Sequence, residues 1–123
     1  MDIKICSYNC CSLVKNIEVV RELVAKEYDI IFLQETFVTD DKLGIFYFID
    51  ENYESVAKGA VYSERSITSA AGRPQGGIAC LWRCGSLFNI DKIVLEKNIC
   101  IQYKQGLQYL CHFRELRYTI QRY

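Results

Sequence analysis

Glu35 and Asn9 are the residues of this 123-residue chain whose placement points to chemistry. Glu35 ends the stretch Asp29-Ile30-Ile31-Phe32-Leu33-Gln34-Glu35-Thr36, four apolar residues running straight into polar ones. A run that short and half β-branched reads as a strand buried on both faces, in the middle of a sheet. A carboxylate where such a strand leaves the core stands at the rim on a rigid element, its charge open to solvent or to a cation. Asn9 ends a second candidate strand, in which Ile3 and Ile5 alternate with Lys4 and Cys6 as far as Tyr8. The plainer alternatives are a surface carboxylate capping a turn and an asparagine closing one.

What lies between them decides whether they meet. Ile17, Val20, Leu23, Val24 and Tyr28 recur at helical spacing, with Glu18, Arg21, Glu22, Lys26 and Glu27 on the other side. The spacing predicts a helix from about Ile17 to Glu27. Asn16 is its expected N-cap, Glu18 suits its positive end, and Glu22 and Lys26 form an i, i+4 acid-to-base pair. Strand, helix, strand is a βαβ unit. Parallel pairing of the two strands brings their carboxyl ends to one sheet edge, where α/β sheets gather ligands. Asn9 and Glu35 would then project side by side.

The rest of the chain supplies framework and one basic loop. The segment after Thr36 reads as irregular through Asp40-Asp41-Lys42 and an aromatic turn at Phe46-Tyr47-Phe48. Tyr53 to Tyr62 reads as a strand with a bulge at Gly59. Ser63 to Gly77 holds the only proline and three of the seven glycines, and reads as an exposed loop carrying Arg65 and Arg73. Loop arginines contact a nucleic-acid backbone in some proteins and are merely solvated in most. Ile78 to Trp82 reads as a second buried strand, entered through Gly76-Gly77, where missing Cβ atoms permit close backbone approach. Phe88 to Glu96 and Ile99 to Tyr103 form a hairpin around Lys97-Asn98, and Gly106 to Cys111 suits one more strand. His112 to Tyr123 has weak helical periodicity and no stop signal.

Composition narrows the function classes. The length suits one domain. Fifteen basic residues balance fifteen acidic ones, so no global field attracts nucleic acid and such binding needs a local patch. No apolar stretch approaches the roughly 20 residues of a membrane span. The N-terminus lacks a signal-peptide layout, which predicts an intracellular protein that is not secreted and no membrane partner. Seven cysteines and a single histidine, His112, include no Cys-x-x-Cys pair. That argues against a structural zinc. The cysteines read as small, mostly buried hydrophobes in a reducing compartment.

Three segments together resemble the endonuclease/exonuclease/phosphatase superfamily. Ser7-Tyr8-Asn9-Cys10-Cys11-Ser12-Leu13 is similar to its Asn-x-x-Ser/Gly-Leu opening, and Leu33-Gln34-Glu35-Thr36 to its second motif. Gly72-Arg73-Pro74-Gln75-Gly76-Gly77-Ile78-Ala79-Cys80-Leu81-Trp82 is similar to its glycine-led central strand. The Gly-Arg-Pro-x-Gly-Gly form looks most like the endonuclease domain of non-LTR (LINE-type) retrotransposons. The match covers roughly residues 1–104. The resemblance implies an α+β fold, the N-terminal part of a four-layer α/β/β/α sandwich with two mixed β-sheets. It implies hydrolysis of phosphoester bonds with Mg2+ or a similar divalent cation, DNA or another phosphodiester as substrate, and a nuclear location if the chain follows the retrotransposon group. Glu35 would be the metal ligand, with Asn9 placing the metal and the scissile phosphate. Magnesium suits that set, since it prefers oxygen donors and is commonly held by one or two carboxylates plus water and phosphate.

The resemblance stops near Tyr103. Related chains continue into Asn-x-Tyr-x-Pro, then Gly-Asp-x-Asn and Ser-Asp-His; here Cys111-His112-Phe113-Arg114-Glu115 follows instead. The general base and its aspartate partner are missing from the match, and His112 lies too early to replace them. Residues 105–123 therefore read as a divergent tail, as in a frame-broken copy. The expectation is a truncated phosphodiesterase domain, inactive alone. The alternatives are a non-enzymatic remnant with at most weak metal or nucleic-acid binding, or a fragment of a phosphatase or exonuclease of the same superfamily.

Overall fold

The computed structural model describes residues 4–62 and 73–85, together with the backbone of strands 89–95, 99–105 and 108–114. The elements are β1 (Ile5–Asn9), α1 (Ile17–Ala25), β2 (Ile30–Gln34), a 3-10 helix (Asp40–Phe48), β3 (Tyr53–Lys58), β4 (Ile78–Arg83), β5 (Asn89–Leu95), β6 (Ile99–Gln105) and β7 (Gln108–Arg114). They form a mixed four-stranded sheet in the order β1-β2-β4-β3 and a three-stranded sheet in the order β5-β6-β7.

β2 is the interior strand that its apolar run predicts. All five of its residues are buried. It pairs in parallel with β1 and antiparallel with β4. On one face, Ile31, Leu33, Ala79 and Leu81 join Val20 and Val24 of α1 and Phe46 of the 3-10 helix in a single core. On the other face Ile30, Phe32 and Cys80 have no exposed surface. β4 touches β6 of the second sheet. Burying each large aliphatic or aromatic side chain is worth roughly 1.5–3 kcal/mol, so β2 is anchored from both sides and the residue leaving it has a rigid base.

At the end of the sheet away from Asn9, the Asp29 carboxylate accepts the Lys4 backbone N–H at 2.8 Å and the Arg83 guanidinium at 2.9 Å. That pair joins the starts of β1 and β2 to the end of β4. Hydrogen bonding to Asp29 pushes the Arg83 pKa further up.

Several local expectations are corrected. The helix begins at Ile17 as predicted, but Asn16 makes no side-chain cap. Its Nδ2 donates instead to the Cys10 carbonyl at 2.7 Å, so the side chain braces the loop behind it. The helix ends at Ala25, and its ion pair is Glu18 with Arg21 at 2.7 Å, while the Lys26 carbonyl accepts Lys4 Nζ. The segment expected to be irregular is a 3-10 helix with Asp40 and Asp41 in its first turn. Carboxylates there suit the free N–H groups of a helix start.

Gly59 is not a bulge, because β3 pairs with β4 in unbroken register from Tyr53 with Arg83 to Lys58 with Ile78. The glycine is needed for contact: its N–H donates to Asp40 Oδ1 at 3.1 Å, and a Cβ there would fall 2.6 Å from the Asp40 nitrogen. β3 stops at Lys58, and Ala60 and Val61 make only single bridges, to Thr39 and Gln75. β5 and β6 pair as the predicted hairpin, with Lys97-Asn98 outside the described residues. β7 runs on through His112 to Arg114, paired with β6, so those residues are extended rather than helical.

Candidate functional site

The parallel register puts Asn9 opposite Gln34, so Glu35 is the first residue past that pair. Both sequence-predicted residues therefore stand at the same edge, as the βαβ unit requires. The two strand ends stay laced together beyond the sheet. Cys10 N–H donates to the Gln34 carbonyl at 2.8 Å, Ser12 N–H to Glu35 at 3.0 Å and Leu13 N–H to Thr36 at 2.9 Å.

Glu35 leaves the strand in a left-handed conformation, φ +49°, and so does Phe37 at +55°. Such values are rare for residues with a Cβ and persist where the surroundings over-determine them. Here they do. Thr36 between them is 1 % exposed, its N–H donates to the Gly77 carbonyl at 3.2 Å, and Phe37 N–H donates to Gly76 at 3.0 Å. Gly77 itself has φ +88°, and a Cβ on it would collide with Thr36 Oγ1. The close approach predicted for the glycine pair is thus made against the segment that carries Glu35.

The Glu35 carboxylate is half-buried, with no hydrogen bond or ion pair among the described residues. Its charge is felt by Cys10, whose thiol is pushed up to about 12 by burial first and by Glu35 second. Asn9 is exposed, and its Oδ1 accepts the Cys11 N–H at 3.1 Å. The turn-closing reading of Asn9 is therefore correct locally, and among the described residues one lone pair of Oδ1 and the whole Nδ2 remain for a ligand.

Gln34 escaped the sequence reading. It is 1 % exposed, donates from Nε2 to Ser7 Oγ at 2.9 Å, and keeps Oε1 buried without a partner among the described residues. A polar residue closing an otherwise apolar interior strand was the available signal.

Arg73 is exposed, and its guanidinium carbon lies 4.7 Å from the centre of the Phe37 ring. The structure thereby brings Arg73 to the segment of Glu35. Arg65 lies outside the described residues.

No protein-family model and no curated protein matches the chain. Solved structures do. An AP endonuclease from Archaeoglobus fulgidus aligns with a TM-score of 0.57 at 19 % identity, over 89 % of this chain and 40 % of that one. A 3′ phosphatase from Neisseria, solved with product DNA hairpin, aligns with the same TM-score, identity and coverage: 0.57, 19 %, 89 % and 40 %. The human Nocturnin catalytic domain, solved with a bound sulfate anion, aligns at 0.62 and 15 %, over 89 % of this chain and 47 % of that one. This is the endonuclease/exonuclease/phosphatase fold. The chain spans less than half the length of these structures.

Within that fold the donor set has a definite character. Among the described residues no group of three or more His, Cys, Asp and Glu is placed to hold a metal ion. What the rim offers is one carboxylate, Glu35, and one carboxamide oxygen, from Asn9. These are hard donors, few in number. They fit magnesium, which keeps several waters and completes its shell with substrate phosphate, better than zinc, which wants nitrogen and sulfur. Cys10 is buried with its proton held tightly, and Cys11 is exposed.

A cleft of about 470 Å³ opens at the other end of the sheet, among Arg21, Asp50, Tyr53 and Arg83. It does not include the Asn9–Glu35 rim.

Proposed function

We propose that this chain carries the metal-ligand half of a magnesium-dependent phosphodiesterase site acting on DNA, of the non-LTR retrotransposon endonuclease type. The observation that supports the reading best is the pairing of Asn9 with Gln34, which sets Asn9 and Glu35 on one rigid edge of a fold shared with nucleases and phosphatases. The two sheets correspond in this reading to the inner layers of a four-layer sandwich. Residues 1–104 form the partial domain and 105–123 the divergent tail.

Each residue has a role. Glu35 would hold the cation, since among the described residues no hydrogen bond or ion pair occupies its carboxylate. Asn9 would lend its carboxamide oxygen to the same ion or its Nδ2 to a phosphate oxygen. Arg73 and Arg65 contact the nucleic-acid backbone. When bound, magnesium polarises a phosphoryl oxygen and offsets charge that builds up during displacement. This reading assigns no residue of the 123 as a general base to activate water, and takes them to bind without turning over.

Two measurements on the whole chain test the proposal. Magnesium raises the thermal unfolding midpoint of wild type and not of Glu35→Gln, since a ligand that binds only the folded state stabilises it. Supercoiled plasmid stays intact in magnesium. Equal response of wild type and Glu35→Gln to magnesium removes the metal assignment. Magnesium-dependent nicking that Glu35→Ala abolishes overturns the claim of an incomplete site.

A further inference from the structure

Phe37 occupies an unusual place in the rim. Its backbone is left-handed at φ +55°, its N–H is taken by the Gly76 carbonyl, and its half-buried ring meets the Arg73 guanidinium at 4.7 Å. Arg73 stands three residues before Gly76, so both ends of the cation–π contact are tied to the same glycine turn. Glu35, two residues before Phe37, shares that frame through Thr36 and Gly77. Among the described residues no carboxylate pairs with Arg73, and its side chain is exposed.

This arrangement does something that a solvated arginine does not. An arginine on an open loop samples many rotamers and loses that freedom on binding. Stacking on an aromatic face holds the guanidinium in one plane and leaves its N–H edge pointing outward. The edge is the part that donates in pairs to phosphate oxygens. An exposed cation held against a ring two residues from Glu35 suits a phosphate group near that carboxylate.

We infer that Phe37 is a positioning residue: it holds Arg73 as a phosphate-contacting cation on the segment that carries Glu35. The inference rests on the nucleic-acid reading of the site and goes beyond it by naming Phe37 and by coupling Arg73 to it. Phe37 itself touches no reacting atom.

Fluorescence anisotropy with a labelled DNA duplex, in EDTA and over a range of salt, tests it on the whole chain without requiring catalysis. Arg73→Ala weakens binding severalfold and lowers the slope of log affinity against log salt by about one. Phe37→Leu, which keeps an apolar side chain but loses the ring face, produces the same two changes. The double variant is no weaker than either single one, because both remove the same contact. Phe37→Trp, which restores a ring face, binds as wild type does. Wild-type salt slope in Phe37→Leu, beside a reduced slope in Arg73→Ala, overturns the positioning role. An unchanged slope in Arg73→Ala, with wild type binding duplex, overturns the whole inference while leaving the nucleic-acid reading intact. If wild type does not bind duplex at all, both fall.

Discussion

The side-chain amide of Gln34 donates to the hydroxyl of Ser7 at 2.9 Å, lacing β2 to β1 one residue before Glu35 and two before Asn9. Both side chains lie on the sheet face that Asn9 shares, since residues two apart on a strand point the same way. A partly buried side-chain contact thus reinforces the backbone pairing that sets the relative height of the two candidate ligands. Ser7→Ala leaves the Gln34 amide without its partner and is expected to cost about 1–3 kcal/mol. Gln34→Met in the same background removes the stranded polar group, so the double variant is expected to lose less than the sum of the two single losses. Urea unfolding of the four proteins measures the coupling, and simple additivity would show that the contact does not join the strands.

Asn16 separates two roles that a sequence cannot. As an N-cap it would accept hydrogen bonds, and aspartate would replace it without loss. As the structure has it, Asn16 donates to the Cys10 carbonyl, which aspartate cannot do. Asn16→Asp is therefore expected to cost about 1–3 kcal/mol, comparable to Asn16→Ala. An aspartate variant with the wild-type unfolding midpoint at pH 7 would restore the capping role.

The two glycines before β4 are expected to differ. Both have positive φ, +77° at Gly76 and +88° at Gly77, but a Cβ on Gly76 meets open space while one on Gly77 strikes Thr36 and lies 3.3 Å from Ala60. Gly76→Ala is expected to cost about 1–2 kcal/mol from backbone conformation alone. Gly77→Ala adds an overpacking cost, for a total of roughly 2–4 kcal/mol. It also displaces the Glu35 segment, so the stabilisation by magnesium is expected to drop with it. Equal unfolding midpoints for the two variants would show that the contact with Thr36 yields freely.

Alkaline pH is expected to weaken the fold. Burial pushes the Cys6 thiol from 9.0 to about 11, and burial with the Glu35 charge pushes Cys10 from 9.0 to about 12. The folded values exceed the unfolded one. The stability from keeping these thiols protonated is complete below pH 9 and is lost as pH rises toward 11 and 12. For a fully buried thiol such as Cys10 the loss is about 1.4 kcal/mol per pH unit within that window. Tyr53, raised from 10.0 to about 12 mainly by burial, adds to the decline above pH 10. Urea midpoints at pH 7, 9 and 10.5 under reducing conditions measure the slope, which Cys10→Ala is expected to flatten. A midpoint independent of pH over this range would mean that the thiols reach solvent.

The sequence by itself determined the frame of the site. Strand period in Ile3 to Tyr8, helical period from Ile17, and the apolar run Ile30 to Leu33 each express contacts within one element, and the βαβ connection then puts Asn9 and Glu35 on one edge. The same local reading identified Gly76-Gly77 as a place of close approach. It assigned a bulge to Gly59 and a cap to Asn16, because residue type records a capacity without its partner. Only the tertiary structure decided those partners: Asp40 for Gly59, Cys10 for Asn16, Thr36 for Gly77, Ser7 for Gln34 and Phe37 for Arg73. Most of these pairs lie far apart in the chain and on different elements, so no periodicity within either element encodes them. They become definite when the sheet closes and the left-handed turn after Gln34 is tied to Gly76 and Gly77.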